Sequence, residues 1–383
     1  MSVPADSPRH DAAYPETTGS ATADADLTSF PTELFTYELP PELIAQAPAT
    51  PRDSSRLLVL DRATGLATHA TFREIGRWLR PGDLLVANRS RVVPARLRGR
   101  RVPSGGRVEL LLLRRVGPGC WEALVRPGKN LAPGTRVELA PHLSATIVER
   151  TAAGGRLIRF EREASDDAVG GSVKDGDVDA AVLTLGSLPL PPYIRDFSGD
   201  PERYQTVYGD ALGSAAAPTA GLHFTPELLS DLRTRGVGFA TVTLHVGLDT
   251  FRPVKAPDLR EHEIHSEVCA VPEETARAVA ETKARGGRVV AVGTTTVRSL
   301  ETAAAAFAGA PLTAWSGDTR LYILPGHRFR AVDAIITNFH LSGSTLLALV
   351  SAFAGRERVL AAYAEAIERR YRFFSFGDAM LIV

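Results

Sequence analysis

The sequence predicts an α/β main domain with a mixed, partly open and barrel-like sheet, interrupted by a small all-β barrel domain. Strand and helix patterns alternate after Pro189, which is typical of an α/β domain. Between about Val93 and Leu185, short β-type runs are instead separated by Gly and Pro, which is typical of a small antiparallel barrel. Because strand and helix patterns also precede Val93, the barrel should be an insertion.

The chain divides into three predicted parts. Residues 1–29 are rich in Ala, Asp, Thr, Ser and Pro, with too little apolar surface to offset the entropy of ordering, so we expect a disordered N-terminal extension. Residues 30–92 and 186–383 should together form the α/β catalytic domain, since ligands gather at strand ends in open α/β sheets. Residues 93–185 should form the inserted β-barrel domain.

The first α/β segment begins with a short helix expected around Glu42–Ala45. Arg56–Asp61 and Asp83–Ala87 are apolar runs that predict strands. Between them, Phe72–Leu79 has a helical pattern that ends before Pro81.

The barrel segment contains five predicted strands, separated by Gly and Pro: Arg107–Leu113, Trp121–Val125, Arg136–Leu139, Ala145–Glu149 and Arg156–Phe160. The stretch Asp166–Asp179 is polar and rich in Gly, so we predict a loop there.

The second α/β segment opens with a helix that Thr225 can cap, with Pro226 as its first residue and Gly236 at its end. The predicted strands that follow are Phe239–Val246, Arg288–Val292 and Val332–Thr337. The remaining predicted helices are Glu273–Arg285, Val297–Phe307, Ser344–Ala354 and Arg358–Arg370.

The bulk composition is that of a globular protein with room for a large core: 383 residues, 44% hydrophobic and 23% charged. Lys plus Arg and Asp plus Glu each number 44, so the net charge is zero. A protein that binds nucleic acid through a diffuse positive field is usually basic, so any such contact should come from a local patch.

Cysteine usage and hydropathy indicate a cytoplasmic protein. Cys120 and Cys269 are far apart and in no metal-ligand spacing, so they should be free thiols. No apolar run approaches the ~18 residues that span a bilayer, and the N-terminus lacks a secretory pattern. We therefore expect no metal and no membrane association.

Four segments lie at predicted strand ends or helix entries, where ligands gather: Gly221–Phe224, Leu244–Gly247, Gly293–Thr296 and Asn338–His340. Three of them carry a histidine, the side chain that most readily transfers protons near neutral pH. A strand-end histidine is more often structural than catalytic, and three threonines can simply cap a helix. Spacing alone therefore indicates an α/β enzyme and nothing more specific.

Longer motifs carry a family resemblance. In chain order they are Tyr37–Pro40, Arg91–Leu97, Pro189–Ile194, Tyr204–Tyr208, Ala216–Phe224, Thr243–Gly247, Ala291–Thr295, Val297–Arg298, Thr337–Leu341 and Tyr371–Met380. Together they resemble the S-adenosylmethionine:tRNA ribosyltransferase-isomerases of queuosine biosynthesis, in order from about Phe35 to Ile382. The resemblance implies a large α/β domain with a small inserted β-barrel.

The resemblance also implies a reaction and its partners. Such enzymes transfer ribose carbons of S-adenosylmethionine to the aminomethyl group of a deazaguanine at the wobble position of tRNA. The product carries an epoxycyclopentenyl ring, and adenine and methionine leave. S-adenosylmethionine is therefore a co-substrate, no metal is implied, and the expected partner of this monomer is the anticodon loop of a tRNA bearing the deazaguanine.

This chemistry suits histidines and hydroxyls. The sulfonium acidifies the adjacent ribose methylene and adenine leaves more easily when protonated, so the site needs a base and an acid. The candidate catalytic residues are His223, His245, Asn338 and His340, with His223 and His245 as base and acid in either order. The candidates for binding S-adenosylmethionine are Thr219, Gly221, Gly293, Thr294, Thr295 and Arg298, the last through the methionine carboxylate.

Contacts with tRNA are predicted from charge and from aromatic residues. Nine arginines and a single acid, Glu109, lie between Arg89 and Arg115, which predicts a phosphate track, with an ordinary solvated face as the alternative. Aromatic side chains could stack on a splayed-out base, although most such residues are core. The substrate-binding candidates are Arg91, Arg96, Tyr193, Tyr208, Phe224, Asp249 and Phe339.

Two positions depart from the family pattern: Asp249 stands where Gly is usual, and Ser342 where Pro is usual. Three hypotheses therefore stay open. The chain is the tRNA enzyme, or a diverged relative that performs the same ribosyl chemistry on a free deazapurine or other small molecule, or a tRNA-binding protein without catalysis. The retained His223, His245, Thr294 and Asn338 disfavour the hypothesis of a protein without catalysis.

Overall fold

The computed structural model describes residues 29–151, 154–163, 175–195, 197–247, 253–307 and 310–383, except for the side chains of 175–177. In chain order its strands are β1 Arg56–Leu60, β2 Ala67–Thr71, β3 Leu84–Asn88, β4 Ser90–Val92, β5 Arg96–Val102, β6 Arg107–Gly117, β7 Cys120–Arg126, β8 Arg136–Ala140, β9 Leu143–Arg150, β10 Arg156–Arg162, β11 Ala211–Ser214, β12 Gly238–Leu244, β13 Glu267–Val271, β14 Val289–Val292, β15 Trp315–Thr319, β16 Ala334–Asn338 and β17 Ala379–Ile382. The α-helices are α1 Asp175–Leu185, α2 Pro226–Thr234, α3 Glu273–Ala284, α4 Thr294–Ala306, α5 Thr345–Ala354 and α6 Arg356–Glu368.

The main sheet has nine strands in the order β15-β13-β12-β3-β14-β16-β17-β1-β2. Its centre, β12-β3-β14-β16, is parallel, whereas β13, β15, β17 and β2 each pair antiparallel with a neighbour. Strands β3, β14 and β16 are buried along their whole length because apolar layers cover both faces. Alternate residues serve the two layers: Leu84 and Val86 face one, and Leu85 and Ala87 face the other. The predicted mixed-sheet α/β architecture is confirmed.

The inserted barrel is also confirmed. Strands β5 to β10 close in the order β10-β7-β6-β5-β8-β9, and all pairings are antiparallel. Inward residues such as Leu110, Val137 and Ile158 fill its interior. The chain enters the barrel after β4 and returns through β11, which pairs with β4 in parallel. The domain boundaries at 92/93 and 185/186 stay a prediction.

The predicted loop Asp166–Asp179 is wrong at its end, since Asp175 begins α1. Val178 and Val182, four residues apart, pack against the barrel core, and Asp179 accepts a hydrogen bond of 2.8 Å from Trp121 Nε1. Tertiary contact therefore stabilises a helix whose first residues are polar. Residues 166–174 of that prediction lie outside the described residues.

Other differences concern short elements. The helices predicted at Glu42–Ala45 and Phe72–Leu79 are short 3₁₀ helices, Pro41–Leu43 and Phe72–Arg77. Sequence pattern missed the strands β2, β4, β5, β11, β13, β15 and β17, which have three to seven residues each and depend on sheet partners. The predicted N-terminal extension lies outside the described residues except for Ser29. Within the described part of the chain, no helix combines the length and apolar character needed to cross a membrane.

Candidate active site

A pocket lies at the carboxyl ends of β14 and β16, where open α/β sheets bind ligands. The space between its walls, including the part open to solvent, is about 560 Å³. Its lining residues are Tyr193, Ala217, Pro218, Thr219, Ala220, Val246, Gly293, Thr294, Thr295, Thr337, Asn338, Phe339, His340, Leu341, Leu346, Phe374 and Ser375. Three of the four segments singled out from the sequence contribute at least one of these residues.

The N-terminus of α4 forms one wall. Gly293 has φ +89°, a backbone conformation that glycine adopts at little cost, and it turns the chain from β14 into the helix. The first amides of any helix lack intrahelical acceptors and carry a partial positive charge. Together with the hydroxyls of Thr294 and Thr295, this end of α4 can bind a carboxylate.

Asn338, at the end of β16, joins three segments. Its Oδ1 accepts a hydrogen bond of 3.0 Å from Thr219 Oγ1. Its Nδ2 lies 3.2 Å from both the Phe374 carbonyl oxygen and His223 Nε2. The side chain is almost fully buried, so these bonds fix the amide in one orientation.

His223 lies behind Asn338 and does not line the pocket. Its Nδ1 is 2.7 Å from Ser55 Oγ, and its ring stacks on Phe72 with centroids 5.0 Å apart. Burial lowers the pKa of His223 to about 3, and the charges of Arg372 and Arg52 act in the same direction. The imidazole is therefore neutral near pH 7, with Nε2 accepting from Asn338 and Nδ1 donating to Ser55. Both ring nitrogens are thus engaged, and the contacts fit a role in orienting Asn338; the predicted role of His223 as base or acid stays a prediction.

His340 does line the pocket. Its Nε2 is 2.6 Å from Thr337 Oγ1, its backbone N–H donates to Tyr363 Oη at 2.9 Å, and its carbonyl accepts from Tyr37 Oη at 2.5 Å. Burial lowers the pKa of His340 to about 3. This histidine is thus a rigid, neutral polar group in the wall.

We expect the two buried histidines to make folding stability sensitive to acid. Their ordinary pKa is 6.5 and their folded pKa about 3, so the unfolded chain takes up protons first as the pH falls from 6.5 towards 3. Stability should be full above pH 6.5 and decline below it, by up to ~1.4 kcal/mol per pH unit for each histidine. The urea concentration at the midpoint of unfolding, measured at pH 7, 6 and 5, checks this prediction. A His223→Gln variant should lose stability less steeply as the pH falls. If its stability fell as steeply as that of the wild type, the low pKa of His223 would be contradicted.

His245 follows β12 and is half-buried, but the pocket wall is formed by its neighbour Val246. Its ring packs against the backbone of Gly213, where a Cβ would come within 2.8 Å of His245 Cε1. Burial lowers the pKa of His245, and its buried Nδ1 has no hydrogen-bond partner among the described residues. A neutral imidazole with a free nitrogen beside the pocket remains a candidate base.

Arg298 is paired with a buried carboxylate and does not line the pocket, while its Nη2 has no partner among the described residues, so its predicted role in binding a carboxylate stays a prediction. Its Nη1 contacts Glu267 Oε2, and its Nε donates to the Leu321 carbonyl at 3.0 Å. Glu267 also accepts from the Gly247 N–H at 2.8 Å and lies 3.0 Å from His265 Nε2. Burial opposes ionisation of Glu267, but His265, Arg298 and the Gly247 amide together hold its pKa at about 2. This buried pair anchors the segment after β12.

Of the aromatic candidates, Tyr193 and Phe339 contribute to the lining of the pocket, and Tyr193 is the less buried of the two. Its ring lies 4.9 Å from that of Phe374, and its Oη is 2.7 Å from Ser375 Oγ. Phe339 and Phe224 are fully buried in the two core layers, and Tyr208 packs on Phe239 with centroids 5.3 Å apart. These three side chains therefore serve packing rather than base stacking.

The remaining candidates lie elsewhere. Gly221 faces Tyr208, whose Oη would be 2.0 Å from any Cβ at that position, so it permits close packing. Arg91 pairs with Glu202 at 2.5 Å, and Arg96 donates to the Leu190 carbonyl at 3.2 Å. Asp249 lies outside the described residues.

Ser342 has a structural contact, since its Oγ accepts from the Tyr37 N–H at 2.9 Å. This bond ties the start of the folded chain to the loop after His340. Ser342 is not among the residues that line the pocket.

Sequence reasoning missed several residues at the site. Ser55 supports His223, and Asn88 at the end of β3 lies 3.3 Å from Thr295 Oγ1 while bonding both backbone groups of Leu244. Phe374 and Ser375 form part of the wall, Phe374 with φ +70°. Only the motif Tyr371–Met380 pointed to the last two.

Metal and thiol chemistry find no support in the part of the chain that the structure describes. No group of three or more His, Cys, Asp or Glu side chains there could hold a metal ion. Cys120 and Cys269 are both free, and burial raises the pKa of Cys269 to about 12, so it is an inert thiol at neutral pH.

Known proteins match the chain over most of its length. A family model described as "Queuosine biosynthesis protein" matches residues 32–382. The S-adenosylmethionine:tRNA ribosyltransferase-isomerase of Heliobacterium modesticaldum is 54% identical over 91% of this chain and 99% of that protein. The same-named protein of Moorella thermoacetica is 51% identical over 92% of this chain and 99% of its own. A crystal structure of S-adenosylmethionine tRNA ribosyltransferase from Thermotoga maritima is 44% identical and covers 91% of this chain and 100% of that chain, with a TM-score of 0.51.

Proposed function

The chain belongs to the S-adenosylmethionine:tRNA ribosyltransferase-isomerases of queuosine biosynthesis, and from this premise we propose the reaction that its pocket performs. The enzyme transfers the ribosyl carbons of S-adenosylmethionine to the aminomethyl group of a deazaguanine at the tRNA wobble position. The product is epoxyqueuosine-tRNA, and adenine and methionine are released. The observation that carries the proposal is the pocket at the ends of β14 and β16, with its helix N-terminus and hydroxyl groups.

The chemical groups of S-adenosylmethionine match the groups that line the pocket. Its methionine carboxylate would be held by the N-terminus of α4 with Thr294 and Thr295. The ribose hydroxyls would meet the Asn338 amide, which His223 and Thr219 hold in place. Adenine would stack between apolar and aromatic surfaces near Tyr193 and Phe374.

We assign proton transfer and its support to two uncharged histidines, His245 and His340. His245, which has a lowered pKa and precedes the lining residue Val246, would remove the ribose methylene proton that the sulfonium acidifies. The same low pKa keeps the base unprotonated at the pH where the acceptor amine must also be neutral. His340 would orient the ribose or the leaving adenine through hydrogen bonding.

We also propose the partner molecule and the roles of the two domains. The acceptor is the anticodon loop of a tRNA that carries the deazaguanine, and the protein acts as a cytoplasmic monomer without a metal. The α/β domain formed by residues 30–92 and 186–383 would carry the chemistry, and the barrel domain at 93–185 would assist in binding.

We expect purified protein, S-adenosylmethionine and deazaguanine-bearing tRNA to yield adenine and methionine in equal amounts, with a matching mass increase on the tRNA. Chromatography of the small molecules and mass spectrometry of digested tRNA measure both. The free deazapurine serves as the comparison acceptor. Formation of S-adenosylhomocysteine would indicate methyl transfer, and turnover of the free base alone would indicate a small-molecule enzyme.

A further inference from the structure

The barrel carries a broad hollow that the active site does not use. It has about 1400 Å³ of space, open to solvent, between strands β5, β6, β7 and β8. Four arginines and two glutamates contribute to its lining: Arg98, Arg100, Arg107, Arg126, Glu109 and Glu138. This groove therefore has a positive net charge in a chain whose overall net charge is zero.

The arginines of the groove are poorly neutralised. Among the described residues, Arg107 and Arg126 have no carboxylate within ion-pair distance, and Arg100 makes only a 3.4 Å contact with the Gly105 carbonyl. By contrast, Arg114 and Arg115 on the distal part of β6 pair with Glu122 and Asp179. The predicted track between Arg89 and Arg115 is thus not continuous, and Arg100 and Arg107 of the groove are among its arginines without a carboxylate partner in the described residues.

Strand register places like charges face to face. Arg100 on β5 lies directly opposite Arg107 on β6, a like-charge pairing that is unfavourable in a sheet. On its other side Arg100 lies opposite Glu138 of β8, so one carboxylate offsets only part of the charge of the two arginines. Both side chains are exposed and point to the same side as Arg98. An arrangement that costs stability in the free protein is expected where a bound anion offsets it.

The groove is connected to the active site through β5. Arg96 lies two residues before Arg98 on the same face of the strand, and its Nη2 donates to the Leu190 carbonyl at 3.2 Å. Leu190 is three residues from Tyr193, which lines the pocket. A polyanion that places one nucleotide in the pocket could therefore extend along this face of the barrel.

We propose that this groove binds the phosphate backbone of the RNA whose modified nucleotide enters the pocket, an inference that rests on the proposed function. Exposed arginines without carboxylate partners bind phosphates with little desolvation cost, and each contact releases counterions. The groove contributes affinity and orientation rather than chemistry.

The test compares tRNA binding by the wild type, by Arg100→Ala with Arg107→Ala, and by the control Arg150→Ala with Arg159→Ala. The control arginines are exposed on β9 and β10, away from the groove. Fluorescence anisotropy with labelled tRNA at several salt concentrations gives Kd and its salt slope. We expect the groove variant to bind about tenfold more weakly, with a slope smaller by about two units, and the control to stay near the wild type. The KM for S-adenosylmethionine should not change.

The outcomes separate the two proposals. Wild-type protein that fails to bind tRNA would count against the proposed function itself. If the wild type binds tRNA and the groove variant shows the same Kd and salt slope, this inference alone would be overturned. An acidic protein would then be the alternative ligand of the groove. Equal weakening by both variants would also overturn it, because any surface charge would then suffice.

Discussion

Replacing Asn338 with Leu should lower kcat/KM for S-adenosylmethionine by about 10²-fold or more, the size of effect that a misplacement of about 1 Å produces. Leu has nearly the same size but can make none of the hydrogen bonds to Thr219, His223 and the Phe374 carbonyl. The pocket would keep its volume but lose the hydrogen bonds that fix the end of β16 against the segments of Thr219, His223 and Phe374. Steady-state adenine release at saturating tRNA measures the effect.

The matched control is Asn130→Leu in the barrel, since Asn130 is exposed and far along the chain from the pocket residues. Its kcat/KM should equal that of the wild type. A His223→Gln variant should keep more activity than His223→Leu, because Gln can still accept from Asn338. A change below threefold in Asn338→Leu would show that the amide is not needed for substrate positioning.

Replacing Glu267 with Ala should destabilise the fold by about 3–5 kcal/mol, the cost typical of leaving one partner of a buried ion pair without the other. The side chains of Glu267 and Arg298 are 1% and 7% exposed, so water cannot compensate the remaining guanidinium. The Gly247 amide would lose its acceptor as well. Urea unfolding at pH 7 measures the difference in free energy.

Two comparisons make the Glu267 result specific. The double change Glu267→Leu with Arg298→Met removes both charges and should recover most of the lost stability. The exposed pair Arg285–Glu281, 3.6 Å apart on α3, provides the surface control, and Glu281→Ala should cost no more than about 0.5 kcal/mol. If Glu267→Ala remained within about 1 kcal/mol of the wild type, the buried pair would not be what anchors this segment.

The sequence by itself determined the architecture and the neighbourhood of the site. Helix α2 begins at Pro226 and ends two residues before Gly236, as predicted. The apolar run before Gly293 forms β14. Both could be predicted because caps and periodicity are local properties of the chain. The strand-end rule likewise placed Gly293, Thr294 and Asn338 at one pocket, since parallel strands bring their carboxyl ends together.

Only the tertiary structure decided what each polar side chain does. His223 contacts Ser55 and Asn338, which are 168 and 115 residues away, and its low pKa arises from burial that no local pattern encodes. Arg298 meets Glu267 on β13, a strand that sequence pattern did not predict. The protonation and pairing of buried groups depend on which distant segments pack around them, whereas the pattern of strands, helices and caps depends on neighbours within a few residues.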